Sequence, residues 1–119
     1  MYKLKISPEA KDDLAEIKDY ISKELCNPQA AINFVSKITK KIRGLTGHPG
    51  IGAPLSSVLD IQTDYRFLVC DNYLIFYRYE DGIVFVSRIL YGRRNYMRIL
   101  FSDLQQDEEE VSDRERAQG

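Results

Sequence analysis

Arginine and tyrosine are concentrated in the second half of the chain, where they are the side chains best suited to binding or chemistry. The arginine guanidinium is planar and permanently charged, so it makes paired hydrogen bonds to phosphate or carboxylate and stacks on aromatic rings. Lysine, in contrast, dominates the first half. The interleaved residues are Arg66, Arg78, Arg88, Arg93, Arg94 and Arg98, with Tyr65, Tyr73, Tyr77, Tyr79, Tyr91 and Tyr96.

Such a surface could hold RNA, or the acidic and apolar groups of a protein partner. The same residues could instead simply coat the exposed face of an antiparallel sheet, because tyrosine favours strands. The sequence leaves both interpretations open.

Acid–base catalysis has few candidates in this region. The only carboxylates of the predicted sheet region are Asp60, Asp64, Asp71, Glu80 and Asp81, and the last three fall in predicted turns. A metal-independent ribonuclease would need charge stabilisation at phosphorus and a proton donor for the leaving oxygen. Arginine cannot act as the base, because its pKa lies above about 12. Should the chain be a ribonuclease, its predicted catalytic residues are Arg66, Arg94 and Tyr96.

Metal and cofactor chemistry is not expected. The chain has Cys26, Cys70 and a single histidine, His48, whereas a zinc site wants about four ligands at close spacing. We therefore predict no metal and no cofactor.

The chain of 119 residues suits one domain, and no apolar run approaches the roughly 20 residues of a membrane span. A cytoplasmic location is expected, without membrane association.

Charge is unevenly distributed. Residues 1–101 hold 15 basic and 11 acidic residues, or +4, whereas residues 102–119 hold 2 and 7, or −5. We predict a folded domain over 1–101 and an acidic, disordered tail over 102–119.

Two amphipathic helices are predicted after a short first strand over residues 2–6. Ser7-Pro8 and Asn27-Pro28 are helix-start signals, and each precedes apolar residues at three- and four-residue steps. The short link between them predicts an antiparallel helical hairpin. Residues 47–64, rich in glycine and proline, predict a loop.

Three β-rich runs follow, over 65–70, 73–79 and 83–91, with turns at Asp71-Asn72 and Glu80-Asp81-Gly82. A two-residue first turn would place Arg66 opposite Tyr77. The face on which Arg88 lies depends on the second turn, which the sequence does not define. Residues 96–104 could form a short last helix.

The predicted fold class is therefore α+β with the order β-α-α-β-β-β, in which the helical hairpin packs on one face of a twisted antiparallel sheet. The other face is expected to be concave and available to a partner.

This order resembles the RelE/ParE toxin superfamily over roughly residues 2–101. The resemblance is carried by Ser7-Pro8-Glu9-Ala10, Pro49-Gly50-Ile51-Gly52, Tyr73-Leu74-Ile75-Phe76-Tyr77-Arg78 and Arg88-Ile89-Leu90-Tyr91-Gly92-Arg93-Arg94-Asn95-Tyr96. It implies the toxin of a type II toxin–antitoxin module, which acts in plasmid stabilisation or growth arrest.

Family members divide by target. The mRNA interferases usually carry arginine after the first tyrosine of the middle strand, where this chain has Leu74. The sequence Leu-Ile-Phe-Tyr-Arg in the middle strand and the Gly-Arg-Arg-Asn ending look more like the ParE branch. Members of that branch poison DNA gyrase without catalysing a reaction themselves. A ribosome-dependent mRNA endonuclease is the alternative. The residues expected to bind the target are Arg66, Tyr77, Arg88, Arg93, Arg94 and Tyr96.

The resemblance also implies a cognate antitoxin that wraps the toxin, giving a toxin–antitoxin hetero-oligomer. The helical hairpin would offer a groove for a partner helix, and an edge strand would accept a partner strand. The acidic tail could fold back on the basic residues, or it could be a solvated extension.

Overall fold

A computed structural model describes residues 1–92. Two helices and five strands are present in this part of the chain. The elements are β1 (Lys3–Ile6), α1 (Pro8–Lys23), α2 (Pro28–Gly44), β2 (Ala53–Pro54), β3 (Arg66–Cys70), β4 (Tyr73–Glu80) and β5 (Ile83–Tyr91), and a single 3₁₀ turn, Leu55–Ser57, follows β2. The strands form one sheet in the order β1-β5-β4-β3-β2.

The α+β class and the predicted order of elements are confirmed, with one addition. The region predicted to be a loop contributes β2, a two-residue strand that pairs antiparallel with β3. The predicted last helix over 96–104 and the acidic tail over 102–119 lie outside the described residues.

Both helices begin where the sequence predicts. The Ser7 side chain accepts a hydrogen bond from the Ala10 amide at 3.0 Å, and Asn27 accepts one from the Ala30 amide at 3.0 Å. Each cap satisfies an amide that has no partner within its helix, and the following proline lacks the amide that would otherwise need one.

The two helices cover one face of the sheet. Their buried side chains pack on alternate residues of the central strands, which point to the same face because the side-chain period of a strand is two. The main core contains Ile17, Ile21, Phe34, Ile38 and Ile42 from the helices, and Ile75, Tyr77, Val84, Val86 and Ile89 from the sheet.

The hairpin of β3 and β4 has the predicted register. Cys70 pairs with Tyr73 and Arg66 pairs with Tyr77. Asp71, the first turn residue, has a φ of 55°, a backbone conformation that aspartate tolerates better than most residues.

The sheet is mixed rather than antiparallel throughout, which corrects the sequence prediction. β1 runs parallel to β5, from Lys3 opposite Ile83 to Ile6 opposite Val86. Alternation in residues 2–6 predicts a strand, but it carries no information on the partner strand or on its direction. The β3–β4 and β4–β5 pairs are antiparallel, as predicted, and the added β2–β3 pair is antiparallel too.

A β-bulge decides which residue of β5 enters the core. Tyr77 pairs with Val86, but Phe76 pairs with Arg88, so Ser87 is the extra residue on β5. A regular register would place Arg88 opposite Ile75 in the main core. The bulge moves Ile89 to that position instead, where it is 2% exposed.

The second face of the sheet is partly covered, which corrects the expectation that it lies open. Leu55, Phe76 and Leu90 form a second buried cluster, with Leu59, Tyr65, Phe67 and Leu74 packed around it. Phe76 alternates with Ile75 and Tyr77 along β4, so this cluster lies opposite the helices. The chain between β2 and β3 folds over this face because it carries Leu55 and Leu59, a signal too short to read as periodicity.

Helix α1 caps the outer edge of β5 with a buried carboxylate. β1 pairs only with the first half of β5, and the edge continues beyond it. Asp13 accepts hydrogen bonds there from the Ile89 amide at 2.9 Å and from Arg88 Nε and Nη2 at 2.8 and 3.0 Å. The Ser7 hydroxyl donates to the Ser87 carbonyl on the same edge.

We expect Asp13→Ala to destabilise the protein by about 2–4 kcal/mol, because it removes the buried carboxylate that accepts hydrogen bonds from the Arg88 side chain and the Ile89 amide. Urea unfolding followed by circular dichroism measures the effect. Asp12→Ala is the matched control, since Asp12 is exposed on the same helix turn, and it should change stability by less than about 0.5 kcal/mol. Equal effects of the two substitutions would contradict the assigned role of Asp13.

Candidate functional site

Arg66 lies at the end of β3 that faces the glycine-rich loop. Its Nη1 donates to the Gly52 carbonyl at 2.6 Å and to the Gly50 carbonyl at 3.3 Å, and its guanidinium lies 5.9 Å from the centre of the Tyr79 ring. The side chain is half-buried. Arg66 therefore holds the loop, although part of its surface still reaches solvent.

Tyr77, opposite Arg66 on β4, is fully buried. Its hydroxyl donates to the Pro49 carbonyl at 2.7 Å and accepts from the Gly52 amide at 2.8 Å. A Cβ at position 52 would lie 2.5 Å from this hydroxyl, so only glycine permits the close approach. Tyr77 was predicted to contact the target, but burial makes it a residue that fixes the loop from within.

Arg88, another predicted target contact, is paired with Asp13 beneath α1, as described above. Its side chain is 20% exposed. The structure thus brings Arg66 and Tyr77 together around one loop and places Arg88 at the outer edge of β5, on the other side of β4. The bulge and the buried Asp13 are the reason. The one signal for this pair in the sequence is that Asp13 interrupts the apolar stripe between Ala10 and Ile17.

The remaining predicted site residues are Arg93, Arg94 and Tyr96, and they lie outside the described residues. Gly92, the last described residue, follows β5, and its amide donates a hydrogen bond to the Asn72 carbonyl at 2.7 Å.

The uncovered part of the second face carries cations next to an aromatic ring. Arg78 lies with its guanidinium 4.6 Å from the centre of the Phe85 ring, and it forms an ion pair with Glu80 at 3.2 Å. Lys5 pairs in register with Phe85 and is exposed. Sequence reasoning did not select Lys5 or Phe85, because neither belongs to the run of arginines and tyrosines.

An apolar groove of about 880 Å³ lies between the helical hairpin and the ends of β4 and β5. Helix α1 contributes Ile17, Tyr20 and Ile21, α2 contributes Ala30 and Phe34, and the sheet contributes Tyr73 and Tyr91; Leu25 lies at its rim, where the helices connect. Tyr20, Leu25 and Tyr91 are 53, 58 and 43% exposed, although all three are large and apolar or aromatic.

Aromatic rings line the floor of the groove. Tyr73 packs edge-on against Tyr91 with their centres 5.6 Å apart, and it contacts the Phe34 ring at 5.0 Å. Aromatic rings bury large areas at small conformational cost, so they are common anchors for protein partners. Glu16 and Asp71 add negative charge at the groove. The groove therefore suits an amphipathic segment with an apolar stripe and basic flanks.

Residues 1–92 contain no group of three or more histidine, cysteine, aspartate or glutamate side chains arranged to hold a metal ion. No helix in this part of the chain is long and apolar enough to span a membrane.

A solved structure from a toxin–antitoxin system shares this arrangement of helices and sheet. A chain of the chromosomal ParDE TA system from P. aeruginosa is 23% identical, covers 76% of this chain and 96% of its own length, and superposes with a TM-score of 0.64. YafQ from E. coli strain BL21(DE3) is 16% identical over 81% of this chain and 99% of its own, with a TM-score of 0.46. No curated protein sequence matches.

The fold is thus shared with the ParDE chain, in agreement with the α+β fold that the sequence predicted. The family model for the ParE toxin of type II toxin–antitoxin systems, parDE, matches residues 4–96, and the chain belongs to that family. It is the toxin component of a type II module, and a cognate antitoxin is its implied partner.

Alkaline pH should destabilise the protein through its buried acidic hydroxyl and thiol groups. Burial raises the pKa of Tyr77, against the opposing effects of the Gly52 amide and Arg66, and it also raises the pKa of Tyr73 and Cys70. The folded state then binds these protons more tightly than the unfolded state. Their contribution is complete below the ordinary pKa values of 9.0 and 10.0 and is lost as the pH rises through the folded values.

We expect the free energy of unfolding to fall above about pH 9 in urea titrations. Tyr77→Phe should reduce this fall, and it should lower stability at pH 7 by about 1–2 kcal/mol through loss of its two hydrogen bonds. Tyr20→Phe, at an exposed position, is the control. An unchanged slope in Tyr77→Phe would contradict the assignment.

Proposed function

We propose that this ParE-family toxin inhibits DNA gyrase by binding it, without catalysing a reaction itself, and that a cytoplasmic antitoxin neutralises it. The match to the ParE toxin model over residues 4–96 carries the proposal. The alternative, cleavage of mRNA on the ribosome, is the competing outcome of the expression experiment below.

The placement of Arg66 supports a binding function. A guanidinium that stabilises a phosphorane must be free to point its donors at the phosphate. Arg66 instead directs Nη1 at two loop carbonyls. At the position where interferases usually carry arginine, Leu74 packs against the second buried cluster. Both observations weaken the interferase alternative.

Target contact is assigned to the residues that follow β5. Arg93, Arg94 and Tyr96 follow β5 in the sequence, within the residues that the ParE toxin model matches. Arginine and tyrosine are also the side chains that most often dominate the energetics of protein interfaces.

The apolar groove is the proposed seat of the antitoxin. An amphipathic helix of the partner would cover Tyr20, Leu25 and Tyr91, which are otherwise exposed to water. Burial of apolar area contributes roughly 25 cal/mol per Å², so covering a few such side chains adds several kcal/mol to binding. The resulting complex is a toxin–antitoxin hetero-oligomer.

Leu25→Asp should weaken antitoxin binding by at least tenfold, because it places a desolvated carboxylate against an apolar partner stripe. Isothermal titration with the antitoxin encoded beside the toxin measures the change. Ile32→Asp is the matched control, since Ile32 is 57% exposed and does not line the groove, whereas Leu25 is 58% exposed. If the two variants bind the antitoxin with equal affinity, the antitoxin must bind elsewhere. The same conclusion would follow if the chain's own C-terminal residues occupied the groove.

Expression of the toxin alone in bacteria should arrest growth, induce the DNA-damage response and trap cleaved DNA on gyrase. Rapid loss of translation with mRNA cut inside codons would instead establish the interferase alternative. Arg93→Ala with Arg94→Ala should relieve the arrest while thermal unfolding of the domain stays unchanged. Lys18→Ala with Lys23→Ala, which removes the same charge from α1, should remain toxic. Toxicity that survives loss of both arginines would contradict their proposed role.

A further inference from the structure

Charge is segregated between the two helices. Helix α2 contains Lys37, Lys40, Lys41 and Arg43 and no acidic residue, whereas α1 contains five acidic residues and three lysines. The four cations occupy the last two turns of α2 and are exposed. Lys37, Lys40 and Lys41 are spaced by three and four residues, and Arg43 follows Lys40 by three, so neighbours along the helix lie side by side. We call these four residues the α2 basic row.

The α2 basic row is largely unneutralised within residues 1–92. Lys37 pairs with Asp71, Nζ to Oδ1 at 2.5 Å, and this pair raises the pKa of Lys37. Lys41 Nζ donates to the Val69 carbonyl at 3.0 Å. In the described part of the chain, Lys40, Lys41 and Arg43 have no carboxylate within ion-pair distance. A cluster of like charges attracts an anionic partner.

The chain leaves the sheet beside this row. Gly92 donates its amide to the Asn72 carbonyl, and the neighbouring residue Asp71 contacts Lys37. The last described residue is therefore next to the turn that holds the first cation of the row.

The segment that follows has the opposite charge. Asp107-Glu108-Glu109-Glu110 are four consecutive acids that begin 15 positions after Gly92. Fifteen residues span at most about 50 Å when extended and about 20 Å as a flexible coil. The row itself, from Lys37 to Arg43, extends about 9 Å along the helix. The acidic segment can therefore reach every member of the row.

We propose that Asp107–Glu110 binds in cis along the α2 basic row and shields it from other polyanions. The covalent connection gives the segment an effective concentration near the millimolar range, so weak exposed ion pairs suffice for occupancy. The contact is electrostatic and exposed, and salt of about 1 M should abolish it because the Debye length then falls to about 3 Å. The competing binding sites for the acidic segment are the cations Lys3, Lys5 and Arg78 on the second face of the sheet, or a second copy of the chain.

Zero-length cross-linking tests the contact directly. A water-soluble carbodiimide activates a carboxylate, and a lysine amine in contact with it then forms an amide while the reagent leaves as its urea. Mass spectrometry of the monomer should show residues 107–110 joined to Lys37, Lys40 or Lys41 at low salt, and the links should be lost at 1 M salt. Lys11, Lys18 and Lys23 on α1 are internal controls. Links spread equally over both helices, links mainly to Lys3 or Lys5, links confined to dimers, or no links would overturn the proposal.

A binding cycle tests the shielding independently. The quadruple substitution Asp107→Asn, Glu108→Gln, Glu109→Gln and Glu110→Gln should bind a short random-sequence DNA duplex several-fold more tightly than the full wild-type chain in fluorescence anisotropy at low salt. In a Lys40→Ala, Lys41→Ala background, the same substitutions should have little effect. A gain in affinity of the same size in both backgrounds would mean that the tail acts through net charge alone, and the proposal would fail. Neither experiment depends on toxicity or on the identity of the cellular target.

Discussion

The carboxylate of Asp13 fixes how the two layers of this protein meet. A sheet edge presents amides and carbonyls that need partners, and β1 is too short to satisfy the whole outer edge of β5. Asp13 supplies an acceptor to the Ile89 amide and binds Arg88 through two nitrogens, so one side chain of α1 covers the strand edge and neutralises a partly buried charge. The position of α1 on the sheet, and hence the shape of the apolar groove beside it, follows from this contact.

The glycine-rich loop depends on a second set of interior contacts. Tyr77 and Arg66 form hydrogen bonds with the backbone of Pro49, Gly50 and Gly52, which orders a segment that has little secondary structure of its own. The chain that follows the loop then crosses the second face of the sheet and buries Leu55 against Phe76. The surface available for a partner is consequently smaller than a bare sheet face, and the exposed aromatic residues are concentrated at the apolar groove.

The distribution of binding roles follows from these commitments. Arg66, Tyr77 and Arg88 of the strands are used inside the protein, where they brace the loop and the outer edge of β5. In the described part of the chain, what remains for other macromolecules is the apolar groove and the patch around Arg78 and Phe85. The ParE family assignment does not itself explain the separation of charge between α1, α2 and the acidic tail.

Local patterns were sufficient for much of this structure. Serine or asparagine followed by proline determined both helix starts. One apolar stripe on each helix, through Ile17 and Ile21 on α1 and through Ile38 and Ile42 on α2, determined the buried helix faces. The two-residue turn at Asp71 determined the pairing of Arg66 with Tyr77. Each of these depends on residues close together in sequence. The family resemblance rested on the same short phrases and was confirmed. The direction of β1, the bulge at Ser87 and the Asp13–Arg88 pair were decided only in three dimensions, because each joins residues about 75 to 80 positions apart or depends on competition between Arg88 and Ile89 for one place in the core. The sequence identified arginine as a side chain suited to binding. Only packing decided which of the arginines would form their contacts inside the fold.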